Sequence, residues 1–106
     1  MKVIILTEGG KNIGFGHLTR CLSLYQTFET RKHNPMFIVN GDDSIKNILK
    51  DKTFKIFNWI KEDKELIKKI EKTDAVIVDS YLAELGIYKE VSNNVALAAF
   101  LDDTYR

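Results

Sequence analysis

Four apolar residues without alternation, Val3-Ile4-Ile5-Leu6, run into a stretch holding Gly9, Gly10, Gly14 and Gly16, and a helical stripe begins just beyond it. A continuous β-branched run of this kind reads as a strand buried on both faces. The stripe is Leu18, Cys21, Leu22, Tyr25 and Phe28, spacings of three and four that bury one side of a helix. A strand, a glycine loop and a helix open a βαβ unit, which commits the chain to parallel strand pairing. The start of such a helix presents unpaired N–H groups and partial positive charge, a place suited to an anion. His17 sits there, at the first expected helical position.

The alternation continues along the chain. Residues 36–39 form a second apolar strand, and Gly41-Asp42-Asp43-Ser44 supplies a turn and cap for a short helix through Leu49. Residues 54–59 read as a third strand and 62–72 as an amphipathic, otherwise solvated helix around Leu66, Ile67 and Ile70. Residues 75–78 are a fourth strand, 82–91 a helix weakened by Gly86, and 95–101 a fifth strand. The expected fold is α/β: a Rossmann-like parallel sheet in strand order 3-2-1-4-5 with helices on both faces. At 106 residues this is one domain, residues 1–106. In such a sheet ligands bind beyond the carboxyl ends of the strands where the order reverses. Three stretches fall there: residues 8–17, Asp79-Ser80-Tyr81, and Asp102-Asp103.

Composition excludes several classes. A formal net charge of +1 argues against a nucleic-acid partner. The single cysteine, Cys21, rules out an internal disulfide and fits a reducing cytoplasm; on the apolar stripe it reads as packing. The N-terminal apolar run is too short for a signal peptide or a membrane span, so a cytoplasmic protein without a membrane partner is expected.

Gly14-Phe15-Gly16 begins like a dinucleotide fingerprint, but His17 follows, no third glycine stands in place, and the second strand ends Val39-Asn40-Gly41 without an acid. The loop also lacks the Lys-Ser/Thr of a P-loop. No nicotinamide, flavin or other cofactor is therefore expected. His17, on the carboxyl edge of the sheet, is placed to act as a base. Arg20 lies one turn on and could brace a carboxylate, reach an anion or serve as a plain surface arginine. Asp79 could face a ligand or cap the next helix, and Tyr81 shares its side while the strand lasts. Asp102 and Asp103 could orient a histidine, bind a hydroxyl or simply make a turn. No histidine stands near them in sequence, and no metal site is assigned.

Residues 14–24, Gly-Phe-Gly-His-Leu-Thr-Arg-Cys-Leu-Ser-Leu, resemble the Gly-x-Gly-His-x-x-Arg-x-Leu-x-Leu signature of the UDP-sugar hydrolases of pseudaminic acid biosynthesis and the related spore-coat polysaccharide biosynthesis proteins. Val78-Asp79-Ser80-Tyr81 looks like that family's Asp-x-Tyr, and Leu101-Asp102-Asp103 like its Asp-Asp strand end. The first strand departs from the family's Arg-x-Asp, ending instead Leu6-Thr7-Glu8, in which Glu8 can stand in for the acid and the arginine is gone. The resemblance implies the N-terminal lobe of a GT-B glycosyltransferase-like architecture. It implies His17 as the base that activates water at the anomeric carbon, with Tyr81 on the sugar or the water. Gly14, Phe15, Gly16, Arg20, Asp79, Asp102 and Asp103 would line the substrate. The second lobe, which in this architecture holds most of the uridine and diphosphate, lies outside these residues. The expected partners are thus a UDP-sugar and a C-terminal lobe or another chain, and the 106 residues alone are expected to show little or no hydrolysis. A glycosyltransferase using an acceptor hydroxyl on the same architecture, or a non-catalytic partner module, are the alternatives.

Overall fold

The computed structural model describes residues 1–80, 83 and 85–101. Along the chain run β1 (Lys2–Gly9), α1 (Gly16–Thr30), β2 (Asn34–Gly41), β3 (Phe54–Ile56), α2 (Asp63–Ile70), β4 (Ala75–Asp79), α3 (Leu85–Asn94) and β5 (Leu97–Leu101). The five strands pair in parallel in the order β3-β2-β1-β4-β5, the Rossmann-like arrangement expected from the alternation of strands and helices. Among the described residues no helix is long and apolar enough to cross a membrane.

Period-two alternation divides the core. Ile4, Leu6, Ile38, Val76 and Val78 face α2 and α3, whose Leu66, Ile70, Ile87 and Val91 close that layer. Ile5, Phe37 and Val39 face Leu18, Cys21 and Tyr25 of α1, with Tyr25 and Phe37 stacked at 5.0 Å. From Val3 to Gly9 every residue of β1 is buried, which is why its sequence is an apolar run and not an alternation.

Four expected elements differ. β3 stops at Ile56 because its ladder to β2 covers only Phe37↔Phe54 to Val39↔Ile56. The chain then turns, and Trp59, expected in the strand, is carried to the end of β1, where its Nε1 donates to Thr7 O at 2.8 Å. The short helix expected through Leu49 shrinks to a 3-10 turn, Asp43–Ile45, followed by further turns that still bury Ile45 and Leu49. With two apolar anchors among lysines, asparagine and serine, little drives a longer helix. The last helix is displaced toward the C-terminus, at Leu85–Asn94, and the last strand starts two residues later than expected, at Leu97–Leu101.

The two ends of α1 are built differently. At the C-terminal end His33 N–H bonds Phe28 O and Lys32 N–H bonds Glu29 O, and Lys32 adopts φ 65°. This is a Schellman closure with a lysine in the position glycine favours, and the His33 ring meets Phe28 edge-on. At the N-terminal end Phe15 makes no side-chain cap bond and the first turn carries no acidic residue.

Candidate functional site

The site lies where β1 and β4 run side by side and the strand order reverses. Leu6 is in register with Val78, which places Thr7 beside Asp79 and Glu8 beside Ser80 at the carboxyl edge. Beyond β1 the chain makes a tight loop closed by two hydrogen bonds, Gly14 N to Gly10 O at 2.7 Å and Gly10 N to Gly14 O at 3.1 Å. Gly10 (φ 151°) and Gly14 (φ 92°) occupy backbone regions that side chains disfavour. Asp42 pins this loop to the turn after β2. Its carboxylate accepts Lys11 N–H at 3.0 Å, Ser44 N–H at 2.9 Å and the Ser44 hydroxyl. Those bonds, led by the Ser44 hydroxyl, hold the Asp42 carboxyl below its usual range.

α1 then starts at Gly16, so its first N–H groups face outward beside His17. A side chain at Gly16 would meet nothing within 4 Å, so neither packing nor a positive φ calls for glycine there. Phe15 and Ile13 are partly exposed at the rim.

From the first turns of α1, three side chains converge on Asp79, the last residue of β4. His17 Nδ1 lies 2.7 Å from Asp79 Oδ1. Arg20 donates from Nε to Oδ2 at 2.8 Å and from Nη2 to Oδ1 at 2.5 Å. The Cys21 thiol donates to Oδ2 at 3.4 Å. Asp79 is fully buried, and burial by itself would raise its pKa. The hydrogen bonds from Arg20, then His17 and Cys21, outweigh it and hold the carboxyl below its usual range. An ionised carboxylate only accepts, so in this contact the proton sits on Nδ1 of the ring. The Cys21 thiol moves the other way, pushed up to about 12 by burial and by the adjacent Asp79 charge, which makes it inert as a nucleophile at neutral pH.

A second carboxylate stands across the ring. Glu8, 1% exposed, has Oε2 at 3.8 Å from His17 Nε2, and its Oε1 accepts the Ser80 hydroxyl. Ser80 Oγ in turn accepts Ala83 N–H at 3.1 Å.

The structure thus brings together His17, Arg20 and Asp79, with Gly14, Phe15 and Gly16 in the loop beside them. Of the roles left open for Arg20, it braces a carboxylate, and that carboxylate is Asp79. Among the described residues, the side-chain partners of Asp79 all come from α1, and the Ser80 hydroxyl accepts Ala83 N–H. Tyr81, Asp102 and Asp103 lie outside the described residues. Glu8 entered the sequence reading as the substitute for the family's acid at the end of the first strand, and Ser80 carried no role. The signal that pairs them was the register itself: both stand two residues beyond Leu6↔Val78, on one face.

Over 100 residues, 90% of its length, the chain is 31% identical to an uncharacterized protein of Methanocaldococcus jannaschii, and it spans 19% of that relative. No family model matches the chain, and no solved structure matches it significantly.

Proposed function

We propose that the chain is the sugar-facing lobe of a GT-B-type nucleotide-sugar hydrolase acting on a UDP-sugar, with a second lobe holding the uridine. The observation that carries this reading is the 2.7 Å contact between His17 Nδ1 and Asp79 at the β1/β4 switch point. It fixes the ring's tautomer and orientation and leaves Nε2 to accept a proton, the requirement for a positioned general base. In the proposed step water attacks the anomeric carbon, its proton passes to Nε2, and the bond from that carbon to the diphosphate oxygen breaks with inversion. The electron pair leaves with UDP. The outward N–H groups at the start of α1 and the bare surface at Gly16 suit the close approach of a diphosphate or a sugar hydroxyl.

The test is UDP release from a UDP-sugar by the chain together with the polypeptide that supplies the second lobe. His17→Leu is expected to lower turnover by about 10²- to 10⁴-fold with the fold retained. Full activity in that variant would refute the assignment, and a strict requirement for an acceptor would move the reaction to glycosyl transfer. Substantial UDP release by the 106 residues alone would remove the second lobe from the proposal.

A further inference from the structure

We infer that Asp42 is a positioning residue: it holds the glycine loop between β1 and α1 in the shape that presents His17 to substrate, a role that rests on the hydrolase reading of the site. The loop runs from Gly10 to Phe15, and its tip, residues 11–13, is exposed. Glycines make such a loop costly to order, because each gives up more conformational freedom than any other residue. The loop's own contribution is the pair of backbone hydrogen bonds between Gly10 and Gly14. Among the described residues, Asp42 is the one side chain that hydrogen-bonds residues 10–14, through Lys11 N–H to Oδ2 at 3.0 Å. Its carboxyl is held below the usual range, so the acceptor is ionised, and charge-assisted bonds of this kind are the strong ones.

Asp42 is itself fixed. Its Oδ1 accepts Ser44 N–H at 2.9 Å and the Ser44 hydroxyl, which stops the carboxylate from swinging away. The close packing around it accounts for two of the glycines. A methyl group at Gly10 would stand 2.7 Å from Asp42 Oδ2, and one at Gly41 would collide with Gly9 O. Gly9 and Gly41 are in register on β1 and β2, so Asp42 follows β2 just where the loop leaves β1. The start of α1 is therefore held from both neighbours of β1. Asp79, at the end of β4, takes His17 and Arg20 directly, and Asp42, beyond β2, takes the loop that leads into them. Asp79 orients the ring, and Asp42 sets how often the loop stands in the shape that admits substrate. When only a fraction of molecules is competent, apparent affinity falls by that fraction while the bound complex reacts as before. Loss of Asp42 accordingly weakens binding more than it slows the chemical step.

The experiment compares Asp42→Ala with wild type by amide hydrogen exchange and, with the polypeptide that supplies the second lobe, by turnover of a UDP-sugar. Exchange at Lys11 and Gly14 should quicken about tenfold, with Ile5 and Ile77 in the sheet unchanged. Gly14 is decisive, because it makes no bond to Asp42 and so reports the loop and not the lost contact. KM should rise about tenfold with kcat nearly unchanged, whereas His17→Leu acts on kcat. Asp42→Asn, which keeps an oxygen for Lys11, should recover part of the lost affinity. Gly10→Ala should act like Asp42→Ala by pushing the carboxylate away, and the double variant should be no worse than Gly10→Ala alone, since both strike one contact. Ser44→Ala leaves the Lys11 bond in place and should leave KM near the wild-type value. Unchanged Gly14 exchange or additive effects of Gly10→Ala and Asp42→Ala would overturn the inference. So would a Ser44→Ala variant as impaired as Asp42→Ala, which would make Asp42 only the cap of its own turn. Should Asp42→Ala fail to fold, Asp42→Asn and Gly10→Ala provide the same readings. If Gly14 exchange quickens and KM does not move while His17→Leu is dead, the positioning role fails alone. If His17→Leu keeps full activity, the hydrolase reading fails, and Gly14 exchange still decides whether Asp42 orders the loop.

Discussion

Asp79 and Glu8 are both buried carboxylates at the ends of neighbouring strands, yet they are held in opposite ways. Asp79 takes three side chains from a single helix and is neutralised by an arginine that never loses its charge. Glu8 takes a hydroxyl from Ser80, just past the end of β4, and faces the His17 ring at 3.8 Å. Alternation along each strand assigns them to different faces, Asp79 with Ala75 and Ile77 beneath α1, Glu8 with Ile4 and Leu6 beneath α2 and α3. His17, at the mouth of the sheet, meets both. A buried charge with a permanent partner fastens structure, whereas one with a titratable partner couples to chemistry.

The largest expected effect tests the fastening. Asp79→Ala removes the acceptor shared by His17, Arg20 and Cys21. Breaking a buried pair costs about 3–5 kcal/mol, and because Arg20 is half-exposed and regains water, the lower end, about 3 kcal/mol, is expected in urea unfolding. The loss should carry a pH signature. The Asp79 carboxyl is held below its unfolded value of 3.8, so its stabilisation is fully present above that pH and is lost as pH falls through the lower folded value. Wild type and Asp79→Asn should therefore converge in stability on acidification below about pH 4. Parallel curves would show that Asp79 is no more tightly held than an ordinary surface carboxylate.

A smaller effect sharpens the same side. Cys21→Ala deletes a buried sulfur and the weakest of the three donors to Asp79, at an expected cost of about 1–2 kcal/mol by urea unfolding. A loss as large as that of Asp79→Ala would shift the weight of the clamp from the arginine to the thiol.

The smallest effect lies at the other end of α1, away from both carboxylates. Lys32→Gly relieves a side chain held at φ 65° and should raise stability by about 1 kcal/mol, read as a higher urea midpoint. Activity should not respond. A change in turnover from that position would mean that the clamp at Asp79 does not isolate the site end of α1 from its far end.

Much of the architecture was legible from residue spacing. The unalternating Val3–Leu6 run, the glycines after it and the stripe from Leu18 to Phe28 carry their periods within a few residues, and periodicity is a local property. Pro35 was placed outside the first helix, and it stands in β2, paired with Val3. Trp59 shows the limit. Its neighbours Phe54 and Ile56 alternate as a strand should, but the strand ends where its partner ends, and the indole is spent on Thr7 O.

The chain by itself determined the parallel sheet, its order, and the placing of His17 at the mouth of the reversal between β1 and β4, because apolar period and glycine position act over short stretches. Only the tertiary structure decided what His17 and its neighbours touch. The contacts that make the site join residues 62, 59 and 72 positions apart: His17 with Asp79, Arg20 with Asp79, and Ser80 with Glu8. They follow from the register of two strands and the lie of one helix across them. A carboxylate's sequence neighbours say that it will be buried; the groups that pay for its charge come from elsewhere in the chain.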